Sequence, residues 1–240
     1  MRALILAAGR GNRLRPATDV TPKPLLPVAP GVRLMDWQLA AAKRAGITEI
    51  VVNTAHLADA FEFLPEACAR RGLHVKISRE GDSAEEALES LGGIVRALDM
   101  LAPASCDEPF LVLAGDVVHN FDLMRLVRRA EAIRAGRLDV HLVAVPNPDF
   151  HAAGDMTVHE DGAVSPGTGP HTYGCMMVAA PRIFRGLAPV RAKLFPWLWE
   201  FARQGRMSAE VFTGFWDNVG SPVEYERLRA NTAALCWARF

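Results

Sequence analysis

Residues 6–28 read LAAGRGNRLRPATDVTPKPLLPV, from Leu6 to Val28. An apolar run, Arg2 to Leu6, leads into this stretch and reads as a buried strand. Ala7, Ala8, Gly9 and Gly11 then let a backbone approach a ligand without Cβ obstruction, so that amide groups can face phosphate oxygens. Arg10, Arg13, Arg15 and Lys23 stand against the single Asp19, which makes the segment basic in its own right. Strand, glycine turn and spaced cations together predict a site for a phosphorylated ligand.

Two glycine motifs are excluded. A Walker loop needs four residues between its glycines and then Gly-Lys-Ser/Thr, and the dinucleotide fingerprint needs a third glycine where this chain has Leu14. What remains, GxGxR followed by Thr21-Pro22-Lys23-Pro24, resembles the signature of the sugar-1-phosphate nucleotidyltransferases. The resemblance covers nearly the whole chain. It implies an α/β fold of three layers, α/β/α and Rossmann-like, with a mixed, mostly parallel sheet and a small antiparallel extension. It also implies one domain over residues 1–240, with about 1–120 as the nucleotide-binding half and about 121–240 as the sugar-phosphate-binding half.

Bulk composition agrees with a single enzyme domain. Half of the 240 residues are hydrophobic, enough for a complete core without disulfides or structural metal. The 27 basic and 27 acidic side chains cancel, so no global field favours nucleic acid or an anionic membrane. Cys68, Cys106, Cys175 and Cys236 are scattered without a CxxC pair, which fits a reducing compartment. The opening apolar run gives way to Gly9-Arg10-Gly11 rather than a cleavage site, and no stretch approaches the roughly 20 apolar residues of a membrane span. A cytoplasmic protein without nucleic-acid, membrane or obligate protein partners is expected.

Along the chain, strands and helices alternate. A helix is predicted from about Leu34 to Ala45, a strand over Glu49 to Asn53, a helix from about Leu57 to Arg71 weakened by Pro65, and a strand over His74 to Ser78. After the polar Glu80 to Glu86 loop, Ala87 to Leu101 is helical in period. Phe110 to Leu113 reads as a strand buried on both faces that delivers Asp116 at its C-terminal end, the edge where open α/β sheets bind ligands. Phe121 to Ala135 is helical and Val140 to Val145 a strand. Met156 to His159 and Tyr173 to Ala179 suggest an antiparallel flap or sheet extension. Lys193 to Gln204 reads as a helix and Ser208 to Trp216 as a strand. Ser221-Pro222-Val223-Glu224 opens a last helix with a capping box. There is no internal repeat.

The resemblance implies how these residues work. A nucleotidyl transfer joins two polyanions, so the protein has to position them and neutralise charge rather than supply a nucleophile. Ala8, Gly9, Gly11, Asn12 and Arg13 would surround the triphosphate, and Lys23 would meet the α-phosphate or the incoming sugar phosphate. Asp116 would be a magnesium ligand, with helix capping as its plainer alternative. Trp216-Asp217-Asn218-Val219-Gly220-Ser221 resembles the family's Trp-x-Asp-Val/Ile-Gly-Thr motif but departs from it, since Asn218 occupies the carboxylate position. Either Asn218 or Asp217 would be the second ligand. Glu80, Gly81 and Gly92, with its neighbour Gly93, fall in the segments that recognise the base; close helix packing is the equal alternative for the two glycines.

On the acceptor side, Pro146-Asn147-Pro148, His151, Gly154-Asp155 and the Asn53-Thr54-Ala55-His56-Leu57 run resemble uridylyltransferases that act on N-acetylmuramate 1-phosphate in peptidoglycan recycling. Asp155, Tyr173, Gly174 and Lys193 are the candidate sugar-phosphate contacts. Open alternatives are a mannose- or heptose-1-phosphate guanylyltransferase, a glucose-1-phosphate uridylyl- or thymidylyltransferase, and a nucleotide-sugar sensor without catalysis.

Overall fold

The structure is a computed structural model that describes residues 1–231 and 233–239. Its strands are β1 (Ala3–Leu6), β2 (Pro27–Ala29), β3 (Val32–Arg33), β4 (Glu49–Thr54), β5 (His74–Arg79), β6 (Phe110–Ala114), β7 (Val117–His119), β8 (Val140–Pro146), β9 (Met156–Val158), β10 (Val164–Pro166), β11 (His171–Ala179), β12 (Met207–Val211) and β13 (Trp216–Asn218). Its helices are α1 (Asp36–Arg44), α2 (Leu64–Ala69), α3 (Glu89–Leu101), α4 (Met124–Arg134), α5 (Trp199–Arg203) and α6 (Pro222–Ala230). No helix among the described residues is long and apolar enough to cross a membrane.

The central sheet runs β12-β8-β11-β6-β1-β4-β5. β6, β1, β4 and β5 are parallel, β11 lies antiparallel to both of its neighbours, and β12 pairs parallel with β8. Every residue of β4 after Glu49 and the first four of β6 are buried, as expected of strands covered on both faces. Alternation then divides the core. Ala3, Ile5, Leu111 and Leu113 pack beneath α1, α2 and α4, whereas Leu4, Phe110 and Val112 pack beneath α3 and the Phe184–Leu198 segment. This is the three-layer arrangement that the resemblance implies. The chain moves from β1 to β4 on one side and later places β6 on the other, opening a crevice at the C-terminal ends of β1 and β6.

Several elements differ from the sequence expectation, each for a local reason. The segment 57–71 breaks, because Leu57 takes a left-handed φ of 53° and Pro65 sits in the first turn of α2, where its missing N–H costs nothing. The helix expected over 193–204 shortens to α5, since Pro196 removes a donor and Leu194 and Leu198 pack directly into the core. β11 begins two residues early and is a central strand rather than part of a flap, leaving only β9 and β10 as the antiparallel extension. The strand expected over 208–216 divides: β12 ends at Val211, and β13 pairs with β7 instead. β7 and the β2-β3 hairpin are too short for periodicity to reveal.

The last helix starts as expected. Ser221 Oγ accepts from the Glu224 amide, and Glu224 Oε2 accepts from the amides of Gly220 (2.7 Å) and Ser221 (2.6 Å). Ser221→Ala is expected to cost about 1 kcal/mol of stability, read as a lower denaturation midpoint at unchanged denaturant slope.

Candidate active site

The crevice is a cleft of about 500 Å³ whose lining includes Ala8, Gly9, Arg10 and Asn12 from the glycine loop, Glu89 and Ser90 from α3, Asp116 and Arg191. The loop is pinned at both ends. The Ala7 amide donates to Asn53 Oδ1 at 2.7 Å, fixing the exit from β1. Further on, Gly11 has a φ of 71°, and a Cβ there would stand 3.0 Å from both Lys23 Cβ and Thr18 Cγ2, so glycine is required by conformation and by space. Thr18 Oγ1 donates to Gly11 O at 3.0 Å, and the His56 ring bonds Thr18 O at 2.8 Å. Asp19 gathers Arg10 (3.2 Å) and Arg15 (2.8 Å) on one carboxylate oxygen.

Lys23 closes the loop onto the sheet. Its Nζ lies 2.5 Å from Asp116 Oδ2, and the lysine is almost wholly buried, a position a cation holds only when paired. Gly115 lets the chain cross the end of β1, since a Cβ would meet Leu6 O at 3.0 Å. The Val219 amide donates to Asp116 O at 3.1 Å, and the β7-β13 register sets Asn218 opposite Val117, beside Asp116. Thus the two metal-ligand candidates separate. Asn218 Oδ1 is buried with no hydrogen-bond partner among the described residues. Asp217 turns away to Arg227 at 2.6 Å, and burial pushes its carboxyl above the usual range against the pull of that guanidinium. Arg13 reaches across to the same segment: a Cβ on Gly220 would lie 2.4 Å from its Nη2.

Other predicted residues lie elsewhere. Glu80 turns inward, accepting from Asn53 Nδ2 at 2.6 Å and from the Leu88 amide at 2.7 Å, and burial raises its pKa against those bonds. It ties β4 to the start of α3 rather than lining the cleft. Gly81 packs against Glu86, and Gly92 against Val190 O, where a Cβ would stand only 2.2 Å away. Helix packing, not space for a base, is therefore the geometric reason for Gly92. Asp155 accepts from the Tyr173 amide and pairs with His151, both at 2.9 Å. The Tyr173 ring packs edge-on against Phe195, and Gly174 O accepts from Trp216 Nε1 at 3.0 Å. Lys193 is exposed, while Arg191, two residues earlier, lines the cleft and lies 3.4 Å from Glu89. Asn53 and Glu89 fall in segments that the resemblance marks, although neither stands out there as a contact, and Arg191 carries no local signal in the sequence.

A glycine loop with a buried lysine, set against a carboxylate at the switch point of a mostly parallel sheet, offers the amides and positive charge that a phosphorylated ligand calls for. The chain matches the nucleotidyl transferase family model over residues 2–166, and it belongs to that family. It is 37% identical over 238 residues to an N-acetylmuramate alpha-1-phosphate uridylyltransferase of Neisseria meningitidis, covering 98% of this chain and 99% of that protein. A protein of the same description from Caulobacter vibrioides is 32% identical, covering 92% of each chain. A probable mannose-1-phosphate guanylyltransferase of Oryza sativa is 27% identical, covering 94% of this chain and 63% of that protein. The fold is shared with a putative glucose-1-phosphate thymidylyltransferase from Bacillus anthracis, at a TM-score of 0.78 and 19% identity over 96% of this chain and 94% of that one.

Gly93 tests the Asn53-Glu80 tie, because a Cβ there would stand 2.4 Å from Glu80 Oε1 and 2.7 Å from Asn53 Nδ2. Gly93→Ala is expected to weaken triphosphate binding about tenfold by calorimetric titration, since both walls of the cleft hang on that tie.

Proposed function

We propose that this protein transfers a uridylyl group from UTP to N-acetylmuramate 1-phosphate, releasing pyrophosphate, in the cytoplasm as a step of cell-wall sugar recycling. The observation that carries the reading is the Lys23-Asp116 pair at the mouth of the crevice, bordered by the glycine loop. The choice of base and sugar draws its support from the two uridylyltransferases matched over nearly their full lengths.

In this reaction a phosphate oxygen of the sugar 1-phosphate bonds to the α-phosphorus as the bond to the β-phosphate oxygen breaks. No protein nucleophile is needed, only alignment and countercharge. The loop from Gly9 to Asn12 receives the triphosphate with its amides, and Arg13, braced on Gly220, faces the charge that develops on the leaving group. Lys23 is positioned to follow the α-phosphate, since its ammonium is already at the carboxylate that borders it. Asp155, Tyr173, Gly174 and Lys193 are assigned to the sugar phosphate, with Arg191 as a further cation on the cleft.

A magnesium ion suits the donors present. Asp116 offers a carboxylate and Asn218 an amide oxygen without a partner, and hard divalent cations are typically held by one or two such groups plus phosphates and water. When bound, the ion would supply charge neutralisation at the phosphates undergoing transfer. Asp116 and Asn218 would hold the ion from the protein side, and the triphosphate's oxygens and water would complete its shell.

Pyrophosphate release across a panel of nucleoside triphosphates and sugar 1-phosphates tests the assignment. UTP with N-acetylmuramate 1-phosphate is expected to turn over fastest, and faster turnover of GTP with mannose 1-phosphate would overturn it. Triphosphate binding without pyrophosphate release at any magnesium concentration would favour a sensor. Arg13→Ala is expected to lower kcat about a hundredfold while changing triphosphate binding far less, because the cation serves developing charge. Chelation is expected to abolish turnover. Asn218→Ala should raise the magnesium requirement, whereas Asp217→Ala, which removes a partner of Arg227, should leave it unchanged.

A further inference from the structure

Behind the turn that carries Asp116 runs a chain of hydrogen bonds through the buried side chains of His119 and Gln38. The Phe121 amide donates to His119 Nδ1 at 3.1 Å. A ring nitrogen that accepts carries no proton, and burial keeps the imidazole neutral by lowering its pKa from 6.5 to about 3. The ring proton therefore sits on Nε2, which donates to Gln38 Oε1 at 3.1 Å. That bond decides which way the Gln38 amide faces. Its Nε2 donates to Ala114 O and to Val117 O, both at 3.0 Å, the two carbonyls that flank Gly115 and Asp116. With the amide reversed, its oxygen would confront both carbonyl oxygens.

We propose that Gln38 is a positioning residue for nucleotidyl transfer, holding the Ala114–Val117 turn so that the Asp116 carboxylate keeps its place against Lys23, and that His119 sets the orientation of the Gln38 amide. The inference rests on the reading that Asp116 serves the transfer. The turn needs such a clamp because Gly115 at its centre brings no side chain, and beyond the β1-β6 and β7-β13 pairings that hold Ala114 and Val117 its main chain is tied by a bond from Gly115 N to Leu6 O (2.9 Å) and one from Val219 N to Asp116 O (3.1 Å). α1 is a rigid base for the clamp, since Trp37 and Leu39 on either side of Gln38 are fully buried. No other common side chain fills the role. Glutamate would bring negative charge to two carbonyls, asparagine is one methylene too short to span both, and leucine leaves Ala114 O, Val117 O and His119 Nε2 without partners.

Gln38→Leu is expected to lower kcat about tenfold or more, since small misplacements of a catalytic group cost that much, while the Kd for UTP measured without acceptor moves less than about threefold. Leu39→Ala, a cavity in the same helix outside the clamp, is expected to lower Tm but to keep kcat. The double variant Gln38→Leu with His119→Phe is expected to be no slower than Gln38→Leu alone, because the histidine acts through the glutamine. A kcat within about twofold of the unsubstituted protein for folded Gln38→Leu, or a kcat loss in Leu39→Ala matching it at equal loss of Tm, would overturn the proposal. If Gln38→Leu does not fold, the nitrogen-15 spectrum of His119 in the unsubstituted protein decides: a neutral ring protonated on Nε2 supports the clamp, and protonation on Nδ1 overturns it. An unsubstituted protein that releases no pyrophosphate strikes at the proposed function, and the same spectrum still decides the clamp.

Discussion

The ion pair between the buried Lys23 and the partly exposed Asp116 organises this molecule. A lysine ammonium is costly to remove from water, and the cost is met only if a carboxylate waits at hydrogen-bond distance. That requirement joins two segments 93 residues apart. The glycine loop has to fold back over the end of β1, with Gly11 at positive φ so that Lys23 and Thr18 can pass. β6 has to end in Ala114-Gly115-Asp116 at the same height, which the register of Leu6 against Ala114 provides.

Around that pair, polar groups that look local in sequence act over long distances. Asn53 serves the exit from β1, and Glu80 serves both Asn53 and the start of α3. Each carboxylate and amide oxygen in this tie is occupied, which is the condition under which a buried polar network stiffens a fold rather than weakening it. Asn218 Oδ1, in contrast, has no partner among the described residues, and a buried acceptor without a donor is the kind of local deficit that functional sites retain. Its neighbour Asp217, although charged, is held by Arg227 on the other side of the same strand.

The expectations that held were those carried by chemistry needing few residues: the apolar β1 and β6, the turn at Gly11, the emergence of Asp116 and the capping box at Ser221. Others failed where burial in a tertiary context overrode a local pattern. Lys193 to Gln204 has apolar residues at helical spacing, yet only α5 forms as a regular helix, because Pro196 interrupts the donors and the 194–198 segment takes hydrogen-bonded turns that carry Leu194 and Leu198 into the core. Gly92 and Gly93 look alike in sequence, but one admits a neighbouring backbone and the other a buried carboxylate.

By itself the sequence determined a site for a phosphorylated ligand, and its GxGxR and Thr21-Pro22-Lys23-Pro24 segments carried the reaction class through their resemblance to the sugar-1-phosphate nucleotidyltransferases. It also determined the layered α/β architecture, because apolar strands alternating with amphipathic segments can bury both faces of a sheet in few ways. Tertiary structure alone decided which side chains meet. Asp217 is taken up by Arg227 while Asn218 Oδ1 is left without a partner among the described residues, Arg191 rather than Lys193 borders the cleft, and Gln38 stands behind the Asp116 turn. The physical reason is common to all three. Strand pairing and helix docking turn a one-residue difference along the chain into opposite faces in space, and no local pattern records which face the partner will occupy.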